Sequence, residues 1–235
     1  MGYNLMMLRK LSVIVPAYNE ERTIKQTLER LVGLKLVGWK TEIIVVSDGS
    51  TDNTDKIIRN LRLPQNTIRI FKPENQGKGA AIKTGLLKST GEYVIIQDAD
   101  LEYNPQEIKK LVKKAEMENL PAVFGTRNKG IKNAYKYPVM FWGARVLYWL
   151  INLVYKQDLS DPENCYKLVK RKMLDFEITE KGFGVEVELV ARLAKKGIKI
   201  AEVPIRYTPR GYSEGKKITI WDGVKAIWLV FKFAI

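Results

Sequence analysis

Three carboxylates, Asp98, Asp100 and Glu102, fall within five residues. Like charges so close are costly unless a cation neutralises them. Alternate residues of an extended segment project to one side, so Asp100 and Glu102 can share one hard divalent ion, Mg2+ or Mn2+. A solvated turn is the plainer account of these residues, and the cation account is the stronger. Three other segments carry related chemistry. Pro16-Ala17-Tyr18-Asn19-Glu20 offers a planar aromatic and an acid, Ser47-Asp48-Gly49-Ser50-Thr51-Asp52 offers two acids, and Asn75-Gln76-Gly77-Lys78-Gly79 offers a lysine between glycines. The second of these also reads as an ordinary turn and helix cap. The third matches neither nucleotide fingerprint, because no Ser or Thr follows the lysine and the third glycine of the dinucleotide motif is absent.

Composition narrows the chemistry further. The chain of 235 residues has no histidine and one cysteine, Cys165. Ser-His-Asp and Cys-His nucleophile systems, His-ligated metals, Cys-based zinc sites and internal disulfides are therefore excluded. Catalysis must run on carboxylates, cations, backbone amides or a metal held by oxygen. A net charge of +14 calls for an anionic partner: nucleic acid, an anionic membrane surface or a phosphorylated substrate. The 46% apolar content is ample for a core. The first residues show neither the charged start nor the apolar run of a signal peptide, so a cytoplasmic address is expected.

The elements that must position these groups alternate. Leu11 to Val15 reads as a buried strand, followed by a helical stretch from about Glu20 to Leu31. Glu42 to Val46 is a second strand, with a helix from Asp52 to about Leu61. Thr67 to Phe71 is a third, with a helix from about Lys78 to Lys88. Tyr93 to Gln97 is a fourth, and its helix starts at Asn104, with Asn104 as N-cap, Pro105 at the first position and Glu107 as capping-box partner. Ala122 to Gly125 is a fifth strand. Such βα alternation predicts an α/β fold, with an open, mostly parallel sheet and helices on both faces. The four chemistry-bearing segments all follow strands, so they should meet along the carboxyl edge, where ligands bind in open α/β sheets. Lys195 to Tyr207 reads as an amphipathic strand, Arg206 to Lys217 as a basic loop, and Ile220 to Ile235 as a helix. Without repeats or long linkers, a single domain over 1–235 is the simplest organisation.

Taken in order, Pro16-Ala17-Tyr18-Asn19-Glu20, Asp48-Gly49-Ser50-Thr51-Asp52, Asn75-x-Gly77-Lys78-Gly79 and Asp98-Ala99-Asp100 resemble family 2 glycosyltransferases of the GT-A fold. Within that family the chain is similar to the dolichyl- and polyprenyl-phosphate mannose and glucose synthases, from about Leu11 to the early 230s. The resemblance implies a nucleotide-binding half over about 11–127 and an acceptor- and membrane-facing half over about 128–235. It implies nucleotide-sugar contacts from Pro16, Ala17, Tyr18, Glu20, Asp48, Lys78, Asp98 and Ala99, with Asp48 accepting a hydrogen bond from the base. Asp98 and Asp100 match the Asp-x-Asp element, where Asp100 holds Mg2+ or Mn2+ on the donor diphosphate. Glu102 stands where the mannose synthases often have Gln and can add a second metal ligand. Arg127 is expected near a phosphate. Arg210 and Lys216 match cations of a loop covering the donor, where they stabilise the charge of the leaving diphosphate. Arg145 is expected at the acceptor phosphate, with Lys167 a weaker candidate. Cys165 departs from the glycine common before the aromatic.

The expected reaction is inverting transfer of a hexose from UDP-glucose or GDP-mannose to a polyprenyl phosphate. That acceptor already carries a charged oxygen at neutral pH and needs no general base, which suits a chain without histidine. The rival within enzymes is attack by a sugar hydroxyl in polysaccharide synthesis, with Asp98 or Glu186 as base. A remote rival is a nucleic-acid-binding protein, but no such motif is visible and nucleic acid is not an expected partner. A lipid acceptor brings the membrane into play. Pro138 to Tyr155 carries one charge, Arg145, whose insertion costs roughly 2.5–3.5 kcal/mol, so an interfacial helix fits better than a spanning one. In the tail, Trp221, Val224, Trp228, Phe231 and Ile235 form a stripe with Asp222, Lys225 and Lys232 opposite. Peripheral attachment to the cytoplasmic membrane face is expected, although both stripes could instead pack on the sheet.

Overall fold

The computed structural model describes residues 8–131, 138–211 and 220–235. Its centre is a seven-stranded sheet in the order β3-β2-β1-β4-β6-β5-β7. The strands are β1 (Arg9–Ala17), β2 (Trp39–Asp48), β3 (Ile68–Lys72), β4 (Tyr93–Ile96), β5 (Ala122–Thr126), β6 (Lys167–Lys170) and β7 (Ala201–Pro204). The helices are α1 (Ile24–Val32), α2 (Thr54–Asn60), α3 (Lys78–Lys88), α4 (Ile108–Met117), α5 (Pro138–Tyr155), α6 (Val185–Lys195) and α7 (Ile220–Lys232).

β1 pairs in parallel with both β2 and β4, and β2 with β3. Side chains of β1 alternate between faces, as a strand requires. Val13 and Val15 join Leu28 of α1 and Leu111 of α4 in one core, while Ile14 and Ile44 pack with Ala81 of α3 in another. Helices therefore cover both faces, as the βα alternation predicts. A third core lies at the far end of the sheet, where Phe124 packs with Ile151 of α5, Val190 of α6 and Leu229 of α7.

Two elements were not anticipated. β6 runs antiparallel to both β4 and β5, the one reversal in an otherwise parallel sheet. It brings residues 161–166 to the same edge as the loops after β1 to β4. α6 also has no counterpart in the sequence reading, and the expected strand over Lys195 to Tyr207 shrinks to Ala201–Pro204. The helix at Asn104 begins with a short 3-10 turn over Pro105–Glu107, and the Asn104 side chain accepts from Gln106 N–H at 3.1 Å. Glu107 does not close a capping box. Its carboxylate accepts from Arg206 N–H at 3.1 Å and pairs with Lys110 at 2.6 Å.

α5 and α7 pack together through Tyr148, Ile151, Ala226, Leu229 and Val230. The tail stripe points the other way. Trp221 is 79% exposed and Trp228 57%, with Val224, Phe231 and Ile235 exposed beside them. Packing on the sheet therefore does not account for the stripe. On α5, Val146, Trp149 and Leu153 are likewise exposed. Among the described residues no helix is long and apolar enough to cross a membrane.

Candidate active site

The strand order reverses between β1 and β4, which places the loops after these two strands at the switch point of the sheet. Those loops hold Pro16 to Glu20 and Asp98 to Glu102. Neighbouring loops are stitched to them by reciprocal polar contacts. Asn19 Oδ1 accepts from Thr51 N–H at 2.8 Å, Glu20 N–H donates to Thr54 Oγ1 at 2.9 Å, and Thr27 Oγ1 donates to the Ala99 carbonyl at 3.0 Å. Asp52 accepts from Thr54 N–H at 2.9 Å, so the turn reading of this segment holds as well.

Asp48 is buried at the end of β2 and has protein partners on both oxygens. Oδ1 meets Lys72 Nζ at 2.5 Å, and Oδ2 accepts from the N–H groups of Gln76 at 3.1 Å and Gly77 at 2.6 Å. It therefore fixes the glycine loop that starts α3. Gly77 sits at φ +98°, and a Cβ on Gly79 would lie 1.9 Å from the Glu180 carbonyl. Only glycine lets the loop approach residues 180–181 this closely.

Lys78 leads from this loop into the centre of the site. Its ammonium lies 2.8 Å from Asp98 and 3.0 Å from Glu186. Burial works to raise Asp98, but Lys78 outweighs it and holds the carboxyl below its ordinary range. Glu186 is also gripped by Lys167, whose side chain is 0% exposed and whose ammonium reaches the Asn164 carbonyl too. Sequence reasoning placed Lys167 toward an acceptor phosphate; here it lies inside the fold.

Asp100 and Glu102 converge on Arg210. The guanidinium meets Asp100 at 3.0 Å, Glu20 at 3.1 Å and Glu102 at 3.8 Å. Tyr207 donates to Glu102 at 3.0 Å. Burial first, then Asp98 and Glu102, push Asp100 up to about 7 against the pull of Arg210. The segment is not extended, as the sequence reading supposed. Leu101 adopts φ +65°, an unusual conformation for leucine, and this turn presents both flanking carboxylates to one cation. A bound cation group is thus already accommodated, so the donor set fits a hard divalent ion. Among the described residues no three ligands converge into a ready-made cage. That suits Mg2+ or Mn2+, which use one or two carboxylates together with substrate phosphates.

Arg127, at the end of β5, is held by Asp161 through two parallel contacts of 2.7 Å and lies 5.0 Å over the Tyr207 ring. Tyr207 thus joins Arg127 to Glu102. Tyr18 is half-buried beside Glu20, Pro16 and Ala17 are buried in β1, and Arg145 is exposed on α5 one turn before Trp149. Lys216 lies outside the described residues. Lys72, Asp161 and Tyr207 were not singled out from sequence. Tyr207 lay at the end of the predicted amphipathic strand, whereas Lys72 and Asp161 gave no local signal.

A mostly parallel sheet with an Asp-x-Asp element at its switch point agrees with the GT-A glycosyltransferase fold that the sequence resemblance implies. The chain belongs to glycosyl transferase family 2, whose family model matches residues 12–176. It is 33% identical to an uncharacterized protein of Methanocaldococcus jannaschii over 80% of this chain and 84% of that one. It is 30% identical to a dolichyl-phosphate beta-glucosyltransferase of Trichomonas vaginalis, over 96% of this chain and 73% of that one. Its fold is similar to glucosyl-3-phosphoglycerate synthase from Mycobacterium tuberculosis in complex with Mg2+ and UDP. There the TM-score is 0.72 at 22% identity, over 96% of this chain and 78% of that one.

Proposed function

We propose that the enzyme transfers a hexose, glucose in the first instance, from a nucleotide sugar to a polyprenyl phosphate with inversion. The observation that carries this reading is the meeting of Asp98, Asp100 and Glu102 with Lys78 and Arg210 at the switch point. The name of the Trichomonas relative supports a dolichyl-type acceptor and glucose as the sugar.

An acceptor phosphate oxygen attacks the anomeric carbon while the bond from that carbon to the donor diphosphate breaks, and the diphosphate leaves with the electron pair. Asp100 and Glu102 would hold Mg2+ or Mn2+, which when bound supplies positive charge to the diphosphate. Arg210 and Arg127 bring cations to the same edge, where they favour the charge that grows on the leaving group. Pro16, Tyr18 and Glu20 form the wall for the nucleoside. A phosphate acceptor needs no proton removed. The two acids that could serve a hydroxyl acceptor as base are both committed, Asp98 to Lys78 and Glu186 to Lys78 and Lys167. An ion-paired carboxylate is a weaker base, which favours the phosphate.

The exposed aromatic faces of α5 and α7 fit an interfacial lipid contact, where Trp is favoured, and Arg145 sits on the same face of α5 as Trp149. Incubating the protein with labelled UDP-glucose or GDP-mannose, a divalent ion and a short polyprenyl phosphate should give a lipid-linked sugar from UDP-glucose. Asp100→Asn should lower turnover about 10²–10³-fold while leaving the far-UV spectrum unchanged. Absence of any lipid-linked product with either donor overturns the acceptor, and full activity in Asp100→Asn overturns the site.

A further inference from the structure

Arg210 reaches further into the acidic cluster than its expected place over the donor requires. Its N-terminal side is anchored, since its own N–H donates to Glu102 Oε1 at 2.8 Å. The guanidinium then divides between Glu20 Oε2 and Asp100 Oδ2, at 3.1 and 3.0 Å. The carboxylates differ in how much they depend on it. Glu102 has Tyr207 on its second oxygen at 3.0 Å, and Glu20 Oε2 also accepts from Thr23 Oγ1 at 2.8 Å. Asp100 Oδ1 accepts from Glu102 N–H at 3.1 Å, and its Oδ2 meets the guanidinium. A divalent ion seeking Asp100 therefore finds that oxygen taken by a cation of the protein itself. The guanidinium contacts run from 3.0 to 3.8 Å, whereas metal–oxygen distances are only about 2.0–2.2 Å, so an ion that replaces the guanidinium must draw its carboxylates closer.

We infer that Arg210 sets the divalent-ion affinity of the site: an entering ion must take Asp100 from the guanidinium, and the displaced guanidinium, still tethered at Glu102 by its main chain, becomes available to the donor diphosphate. The inference rests on the metal reading of Asp100 given above and adds a competitor to it. Metal and Arg210 exchange partners, so the charge on Asp100 is met by one or the other and not by both at once. Nucleotide assists the exchange, because its phosphates give Arg210 a new anion. Metal without nucleotide should then bind weakly, and the two ligands should bind cooperatively.

Free Mn2+ can be followed by electron paramagnetic resonance during titration of the full chain without nucleotide. Arg210→Ala and Arg210→Gln should each bind Mn2+ about tenfold more tightly than the unaltered protein, the scale of one lost charge-assisted contact. The gain should persist at about 1 M salt, where the loss of a merely nearby positive charge is screened. Addition of UDP should tighten Mn2+ binding in all three proteins, because its phosphates also ligate the ion, but by a larger factor in the unaltered protein than in the variants. Mn2+ affinity that is unchanged or weaker in both folded variants, or a gain that vanishes in salt, overturns the inference. Asp100→Asn separates the two levels. If it abolishes Mn2+ binding while the Arg210 variants stay at the original affinity, the exchange is refuted and the metal site stands. If it binds Mn2+ normally, the metal reading fails and the exchange fails with it.

Discussion

Lys167→Met is the sharpest perturbation of the interior beneath the site. The Lys167 ammonium is sealed from solvent and shared between the Glu186 carboxylate and the Asn164 carbonyl, with its stem beside a small apolar cavity of about 20 Å3. Methionine fits the stem but leaves Glu186 with Lys78 alone. Removing one member of a buried ion pair costs about 3–5 kcal/mol, and the second cation argues for the lower end. On a domain of this size each kcal/mol lowers the melting temperature by about 2–4 °C, so the variant should melt roughly 6–12 °C lower. Glu186→Gln, which strands the lysine instead, should cost as much or more. The double variant Lys167→Met/Glu186→Gln removes the uncompensated charge and should be roughly 2 kcal/mol more stable than the sum of the singles predicts. Calorimetry on the four proteins closes the cycle. Strict additivity refutes the pairing. Kinetics well below the melting temperature test the second half of the reasoning: since the ammonium does not reach the surface, KM for the lipid phosphate should stay within about twofold. A selective rise in that KM, with the donor KM unmoved, would place Lys167 on the acceptor and refute the burial argument.

Other outcomes follow from the same contacts. Glu42 is buried, and although burial alone would raise its carboxyl, Lys10, Thr90 and Ser12 hold it below the ordinary 4.5. A depressed folded value means its stabilisation is complete above that ordinary value and is lost as pH falls through the folded one. Glu42→Gln should therefore lower the melting temperature near pH 7 and flatten its decline on acidification, and an unchanged acid slope would contradict this. Trp149→Glu/Trp228→Glu should weaken sedimentation with anionic liposomes about 10²-fold, taking about 1.5 kcal/mol for each buried ring, without lowering the melting temperature; equal retention would remove these faces from the membrane. Gly79→Ala should destabilise by about 1–3 kcal/mol, because its Cβ would sit 1.9 Å from the Glu180 carbonyl, and a melting curve that does not shift would contradict that close approach.

The first four strands and the loops after them were legible because apolar runs end at Gly, Asp and Asn, and α3 fell on its expected residues. β6 was not legible. It has four residues with a lysine at each end, and the inward turn of Lys167 depends on Glu186, which lies far along the chain on α6. α6 itself carries the signal of a helix in Val185, Leu189 and Leu193, with acids in its first turn, Lys195 in its last, and Gly182 and Gly184 marking its start, so it was legible in the sequence and was passed over. Asp100 and Glu102 meet one cation, the Arg210 guanidinium, across a turn rather than along the extended segment expected, because a leucine in the left-handed region has no sequence signature. In α7 the stripe was visible, but the helix is apolar on two faces. Periodicity cannot say which of Trp228 and Leu229 goes inward; the sheet and α5 decide that.

The pairing of charges along this edge bears on what a divalent ion would add to a chain already so basic. Asp48 is met by Lys72, Asp98 by Lys78, Glu186 by Lys78 and Lys167, Asp161 by Arg127, and Glu20, Asp100 and Glu102 by Arg210. Seven carboxylates thus meet five cations within this set, a formal deficit of about two charges with every acid ionised. A nucleoside diphosphate would be repelled from an edge so charged despite the +14 of the whole chain. Excess charge far away is screened over a Debye length of about 8–10 Å, while these contacts lie near 3 Å. The chain's own cations at this edge are largely occupied in holding acids in place. On the proposed function, a divalent ion at Asp100 would make good that deficit, and release of Arg210 from the same carboxylate would turn a structural cation into one that faces the leaving diphosphate.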